Sequence, residues 1–121
     1  MENVLQIKRV YQAASPEDGF RVLVDRLWPR GLSKAAAQID LWLKNIAPSA
    51  TLRRWFGHDP ARWQTFQQEY IAELEQHPAT TEQIQTLLKQ HQRVTLLYAA
   101  KDEKHNHAVV LLAYLNEHNP T

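Results

Sequence analysis

Residues Val94–Ala100, with the sequence VTLLYAA, form an almost uninterrupted apolar run. A half-exposed strand alternates apolar and polar side chains, whereas a strand covered on both faces is apolar throughout, as in the parallel sheets of α/β proteins. Segments with helical periodicity flank the run, with apolar positions at Ile84, Leu87 and Leu88 before it and at Ala108, Leu111, Leu112 and Leu115 after it. The pattern predicts an α/β fold with a short mixed or parallel sheet flanked by helices.

Two further strands are predicted in the first 25 residues. Leu5–Tyr11 and Phe20–Asp25 are rich in β-branched and aromatic residues that partly alternate with polar ones. The intervening Ser15–Gly19 segment contains the Pro and Gly of a turn, which suggests that the two strands form a β-hairpin with a long loop. Ile39–Leu43 also alternates, and this alternation predicts a short strand.

Capping residues mark the predicted starts of the first two helices. Ser33 caps a short helix at Lys34–Gln38, because a serine oxygen accepts from the free N–H groups of a first turn. Ser49 caps a second helix at Ala50–Phe56, which stops at Gly57.

A longer helix is predicted after Asp59-Pro60, where Asp is a good cap and Pro suits the first helical position. Pro78 ends this helix. The spacing of Thr80 and Gln83 is that of a capping box, which predicts that the next helix begins at Thr80. The apolar stripe of the longer helix consists of Trp63, Phe66, Tyr70 and Leu74.

The composition bounds the class of protein. A chain of 121 residues has the size of one domain, so residues 1–121 are expected to form a single domain. Without cysteine there are no disulfides, thiolate metal sites or cysteine nucleophiles, and three scattered glycines exclude the glycine-rich nucleotide-binding loops. No signal-peptide or membrane-span pattern occurs, so we expect a cytoplasmic protein that does not bind membranes.

The net charge of +1 conceals an uneven distribution of charged residues. Residues 1–56 carry a net charge of +4, and residues 57–121 carry a net charge of −3. The simpler explanation is a solvated surface of mixed charge, and the more specific one is a basic cleft for an anionic ligand.

Polar and titratable residues directly follow the apolar run, in the segment Lys101–His107. Ligands of open α/β sheets collect beyond the carboxyl ends of the strands, and helix N-termini there attract anions. Lys101 and His105 are therefore candidate ligand-binding residues, and Asp102 with His107 is a candidate acid/base pair. The alternative is that Asp102 and Asn106 only cap the following helix.

A second group of candidates lies in and after the second predicted strand. If that strand is parallel to the apolar run, its end lies beside the polar segment just described. Arg26 and Arg30 would then bind a phosphate or carboxylate in a bidentate manner. Arg21 and Trp28 are further ligand-binding candidates, and Asp25 is a catalytic candidate. The alternative is that Asp25 forms an ion pair with Arg26 or Arg30 and that Trp28 packs in the core.

A third candidate position is His58, which follows the paired aromatics Trp55 and Phe56. Such aromatics stack a base or line a pocket, although at a helix end they more often belong to the core. Neither a metal nor a cofactor is expected. His105 and His107 would point to different faces of a helix, and no motif for a third metal ligand is present.

Several segments resemble the YeaO-like family, a branch of a larger bacterial group of domains of unknown function. The longest matching string is RVLVDRLWPRG at residues 21–31, and others are KRVY at 8–11, WFGH at 55–58, LLYAAKD at 96–102 and HNHA at 105–108. The resemblance implies a small α/β domain without an established reaction. Members of the larger group often carry Cys in the last strand and Cys-His-Arg at the next helix. This chain has Tyr98 and Asn106-His107-Ala108 there, so thiol chemistry cannot apply.

These observations lead to one preferred functional hypothesis and one alternative. The preferred hypothesis is a protein that binds a small phosphate- or carboxylate-bearing molecule at the carboxyl ends of its strands, with acid/base catalysis as a further possibility. The alternative is a nucleic-acid or protein interaction module that uses the basic first half and Trp55-Phe56. A pI near 8.1 lies below the range of dedicated nucleic-acid binders.

Overall fold

The computed structural model describes residues 3–117 of the chain. Four strands form one sheet: β1 (Val4–Arg9), β2 (Phe20–Leu23), β3 (Leu41–Trp42) and β4 (Arg93–Tyr98). Their order in the sheet is β1-β4-β2-β3, and every neighbouring pair is parallel. The predicted α/β class is confirmed, and the sheet is parallel rather than mixed.

Strand β4 lies between β1 and β2, and its side chains are buried on both faces. Leu96 of β4 is aligned with Ile7 of β1 on one side and with Val22 of β2 on the other. The predicted hairpin of the first two strands is therefore wrong. A strand that is buried on both faces needs a hydrogen-bonding neighbour at each edge. β4 has these neighbours because it lies between β1 and β2.

Glycine is required where the chain enters β2. Gly19 has a φ of 64°, a backbone conformation that residues other than glycine rarely adopt. A Cβ atom at this position would lie 2.3 Å from the carbonyl oxygen of Arg93. The absence of a side chain therefore allows β2 to approach the first residue of β4.

Residues 3–117 also form five α-helices and three 3-10 turns, and all of them except the last helix lie between strands. No helix in this range is long and apolar enough to cross a bilayer. The helices are α1 (Lys34–Ala37), α2 (Ala50–Phe56), α3 (Trp63–Gln76), α4 (Pro78–Gln90) and α5 (His107–Glu117). The 3-10 turns are Pro16–Asp18, Lys44–Ile46 and Pro60–Arg62.

Most of the predicted caps are confirmed. The hydroxyls of Ser33 and Ser49 accept hydrogen bonds from the first turns of α1 and α2, and Asp59 caps the 3-10 turn that leads into α3. The predicted start at Thr80 is wrong, because α4 already begins at Pro78. Proline suits the first position of a helix, and the hydroxyl of Thr80 donates instead to the carbonyl of His77.

The two faces of the sheet are covered differently. On one face, α4 and α5 pack against the strands and α3 packs against these two helices; together they form the main core, which includes Phe66, Tyr70 and Leu74 from the predicted apolar stripe of α3. On the other face, Leu23 and Leu97 form a smaller cluster with the partly buried Trp28 and Trp42.

A buried ionic network lies beside the smaller cluster. The Asp18 carboxylate accepts hydrogen bonds from Lys8 and Arg21, and the Thr95 hydroxyl donates to the Asp18 carbonyl. Burial alone would raise the pKa of Asp18, but the Ser15 N–H and the two cations together hold that pKa below its usual value of 3.8. The Arg21 guanidinium also donates to two backbone carbonyls. Arg21 is thus held by contacts within the fold.

We predict that Asp18→Asn lowers the free energy of unfolding by about 3 kcal/mol at pH 7, because it leaves the buried Arg21 and the half-buried Lys8 without their counterion. The folded-state pKa of Asp18 lies below its unfolded value, so its stabilisation is present above about pH 4 and is lost as the pH falls further. Urea unfolding of wild type and variant at several pH values measures the difference. The exposed neighbour provides a control, since Glu17→Gln should change stability by less than about 0.5 kcal/mol. A difference that persists unchanged near pH 2 would contradict the electrostatic explanation.

Candidate functional site

The parallel arrangement brings the carboxyl ends of β2 and β4 together. Asp25 follows β2, and Ala99 follows β4. The backbone N–H of Ala99 donates to Oδ2 of Asp25 at 2.9 Å, which joins the two strand ends directly. The indole N–H of Trp42, the last residue of β3, donates to the carbonyl of Asp25 at 2.7 Å. Asp25 is therefore fixed at the centre of this edge by the strands on either side.

His107 lies against Asp25 at the same edge. It is the first residue of α5, and Nε2 of its imidazole is 3.1 Å from Oδ1 of Asp25 and 3.0 Å from the carbonyl oxygen of Val24. The side chains of His107 and Asp25 are only 14% and 16% exposed. Asn106 caps α5, since its side-chain oxygen accepts from the N–H of Val109 at 3.1 Å. The capping alternative for Asn106 is thus confirmed.

Asp102 pairs with His105 and not with His107. Nδ1 of His105 is 2.9 Å from Oδ2 of Asp102, and the edge of Trp63 contacts the imidazole with ring centroids 5.2 Å apart. Asp102 also accepts from the backbone N–H groups of Lys104 and His105. The Lys104 N–H and the His105 side chain hold the pKa of Asp102 below its usual value. This second His–carboxylate pair is half-exposed, whereas the Asp25–His107 pair is mostly buried.

A cavity of about 230 Å³ lies beyond the ends of β2 and β3, between the segment after β3 and the last turns of α3. Arg26, Ser49, Tyr70 and Glu73 are among its lining residues. Tyr70 connects the cavity with the buried pair, because its ring centroid lies 6.2 Å from that of His107. Its hydroxyl donates to the carbonyl of Ile46 at 2.6 Å, and burial raises the pKa of Tyr70 well above its usual value of 10.0.

Arg26 is only weakly held by the residues that the structure describes. Its Nη2 donates to the carbonyls of Ala47 and Pro48 at 3.5 and 3.3 Å, which are long distances for hydrogen bonds. Its Nε is buried and has no hydrogen-bond partner within residues 3–117. No carboxylate in this range lies within ion-pair distance of Arg26. The alternative of an Asp25–Arg26 ion pair is therefore wrong.

The other predicted site residues are more scattered. Trp28 packs edge-on against Trp42 with centroids 5.5 Å apart, and its N–H donates to the carbonyl of Leu32. Arg21 is buried in the network around Asp18. The remaining three side chains, those of Arg30, His58 and Lys101, are exposed and join no ion pair within the described range.

Four residues of this region were not expected from the sequence: Trp42, Ser49, Tyr70 and Glu73. Tyr70 belongs to the predicted apolar stripe of α3, and the only signal for a special position is its hydroxyl, which needs a partner when buried. Ser49 is recognisable as a cap but not as a lining residue. Glu73 lies off the stripe and looks like an ordinary surface residue of α3. Its place at the cavity depends on how α3 packs against the segment after β3.

The two His–carboxylate pairs allow a matched test of coupling. We predict a coupling energy of about 1–3 kcal/mol between Asp25 and His107 in a double-mutant cycle of unfolding free energies with alanine at each position, because the pair is mostly buried. The same cycle at Asp102 and His105 should give a clearly smaller value, since solvent screens exposed charges. Equal coupling in the two cycles would show that burial does not strengthen the Asp25–His107 contact.

Comparison with known proteins identifies the family. Residues 4–120 match a family model described as "Inactive DUF488-N3 subclade". "Uncharacterized protein YeaO" of Escherichia coli K12 is 45% identical over 111 residues, which cover 92% of this chain and 96% of that protein. "Uncharacterized protein Rv3073c" of Mycobacterium tuberculosis H37Rv is 38% identical over 115 residues, which cover 95% of this chain and 96% of that protein. No solved structure matches the chain. The resemblance to YeaO-like proteins is therefore confirmed, and the chain belongs to the DUF488-N3i family.

Proposed function

We propose that the protein binds a small organic molecule bearing a carboxylate or a phosphate in the cavity beyond β2 and β3, with Arg26 as the principal cation. The observation that carries this proposal is the guanidinium of Arg26. It lines the cavity, has no carboxylate partner in the described part of the chain, and keeps a buried Nε without a hydrogen bond. An anionic oxygen in the cavity would supply the missing partner.

The chemistry of arginine favours such a ligand. A guanidinium has five N–H donors in a planar fork that matches two oxygens of a carboxylate or phosphate. In Arg26 only Nη2 makes hydrogen bonds within residues 3–117, and both of them are long. Leaving a buried donor of a charged group unpaired costs free energy, and a ligand that accepts from this donor recovers it.

The size of the cavity restricts the ligand to a small metabolite. A volume of about 230 Å³ lies below the range of roughly 300–1,000 Å³ that is typical of pockets for drug-sized molecules. It equals the volume of roughly eight water molecules at about 30 Å³ each. A nucleotide or another large anion would extend beyond this volume.

We propose binding rather than catalysis as the main activity. Asp25 and His107 form the best acid/base candidate, but His107 does not line the cavity and its Nε2 already faces two oxygens of the protein. The carboxylate of Asp102 is already within hydrogen-bond distance of His105. Tyr98, at the position where the larger group often carries Cys, is buried, and burial raises its pKa, so it stays protonated at neutral pH. The family description "inactive" agrees with a binding role.

Arg30, Lys101, His105 and His58 belong to this proposal only as surface residues that would attract an approaching anion. The nucleic-acid or protein interaction alternative receives less support. It relied on Trp55 and Phe56 as a stacking pair, whereas Phe56 is buried and Trp55 is 40% exposed. A cytoplasmic location and the absence of a cofactor remain predictions.

We predict that Arg26→Met weakens binding by about tenfold to a hundredfold, because a charge-assisted hydrogen bond contributes about 1.5–3 kcal/mol. The probes are inorganic phosphate, propionate and the common L-amino acids, titrated singly into isotope-labelled protein. Amide chemical shifts give each dissociation constant and map the contact surface.

A second arginine supplies the control for charge. Arg54→Met removes one exposed charge from α2 and should leave each dissociation constant within about twofold of wild type, since exposed charges are screened. The proposal is wrong if no probe binds the wild type, or if every probe that binds does so equally well after Arg26→Met.

A further inference from the structure

The cavity also contains an acidic residue without a cationic partner. Glu73 of α3 lines the same cavity as Arg26. Its carboxylate accepts from the backbone N–H of Ser49 at 2.9 Å through Oε1 and from the Ser49 hydroxyl at 2.7 Å through Oε2. No Lys, Arg or His within residues 3–117 lies at ion-pair distance from Glu73.

The two opposite charges of the cavity do not form an ion pair. Arg26 and Glu73 are further apart than the 4.0 Å of an ion pair, although both line a space of about 230 Å³. Within residues 3–117, the other carboxylates that are not exposed each lie at ion-pair distance from a cation or an imidazole, as Asp18 with Arg21 and Asp25 with His107. An unpaired cation and an unpaired anion that share a cavity are complementary to a ligand that carries both charges.

The hydrogen-bonding capacity of Glu73 leaves room for a ligand cation. An ionised carboxylate has about four acceptor sites on its two oxygens, and Ser49 uses one site on each oxygen. Ser49 therefore orients the carboxylate without neutralising it. An ammonium group has three donors and no acceptors, so it fits the sites that remain. A second anion at this point would be repelled.

We propose that the ligand is a small zwitterion of the α-amino acid class, with its carboxylate on Arg26 and its ammonium on Glu73. This inference rests on the proposed function, because it assigns the ligand class of the same cavity. An amino acid with a short side chain has few enough non-hydrogen atoms for the available volume. Glu73 then determines specificity, since it discriminates amino acids from simple carboxylates and from phosphate.

The first experiment compares three probes on the wild-type protein by amide chemical-shift titration. They are the tightest-binding of the common L-amino acids, the same molecule without its ammonium, and its carboxamide without the carboxylate; for alanine these are L-alanine, propionate and L-alaninamide. We expect the amino acid to bind at least about tenfold more tightly than either analogue, since each analogue leaves one charge of the cavity unpaired. This comparison needs no variant and therefore does not depend on the folding of one.

The second experiment assigns the preference to Glu73. In Glu73→Gln the preference for the amino acid over its deaminated analogue should fall to within about threefold, because the repulsion of the simple carboxylate and the attraction of the ammonium are both lost. Glu75→Gln removes the same charge from an exposed position of α3 and should keep the preference. The ratio of two dissociation constants measured on one protein is insensitive to a general loss of stability.

The possible results separate this inference from the proposed function. Equal binding of amino acid and deaminated analogue by the wild type would overturn the zwitterion assignment, as would a preference that survives Glu73→Gln. If Arg26→Met still weakens binding in that case, the proposed anion site is retained but its ligand belongs to a class other than the amino acids. If no probe binds in an Arg26-dependent manner, the proposed function and this inference both fail.

Discussion

The pairing of β4 along both of its edges is the constraint on which the rest of the structure depends. Val94–Tyr98 is buried throughout, so none of its backbone N–H and C=O groups can be satisfied by water. Parallel neighbours at both edges satisfy these groups, with β1 on one side and β2 on the other. Because all strands point the same way, their carboxyl ends form one edge. The contact between Asp25 and the N–H of Ala99 is a direct consequence.

The sequence predicts those parts of the fold that depend on local signals. It does not predict which distant segments pair with each other. The apolar run of β4, the serine cap of α2 and the bounds Ala50–Phe56 are local features, and the structure confirms them. The predicted hairpin between β1 and β2 is wrong, although the segment between these strands does contain a turn at Pro16–Asp18. Turn chemistry predicts a change of chain direction, but it predicts neither the direction of the next strand nor its partner; β1 and β2 are parallel to each other. Here β4, some 70 residues further along, inserts between them.

The candidate site shows the same division between local and distant information. Asp25, Arg26 and His107 were predicted from their positions after strands, and the structure brings Asp25 and His107 into contact. The partner of each histidine was not predictable. Asp102 reaches His105 three residues away within one loop, whereas His107 contacts a residue 82 positions earlier in the chain. Glu73 could not be recognised at all, because nothing in an exposed-looking position of a helix indicates which loop will pack against it.

The proposed ligand site depends on which charged groups of the fold have partners of opposite charge. Asp18 has two cations around it, and Asp25 has an imidazole within ion-pair distance and a backbone N–H, so both carboxylates have partners within the fold. Arg26 and Glu73 have only neutral partners within residues 3–117. Desolvating a charge without a counterion is costly, and a fold that needed these groups only for stability would gain by pairing them. Their separation across a cavity keeps both charges available, which is a property that a binding site requires and a structural ion pair does not.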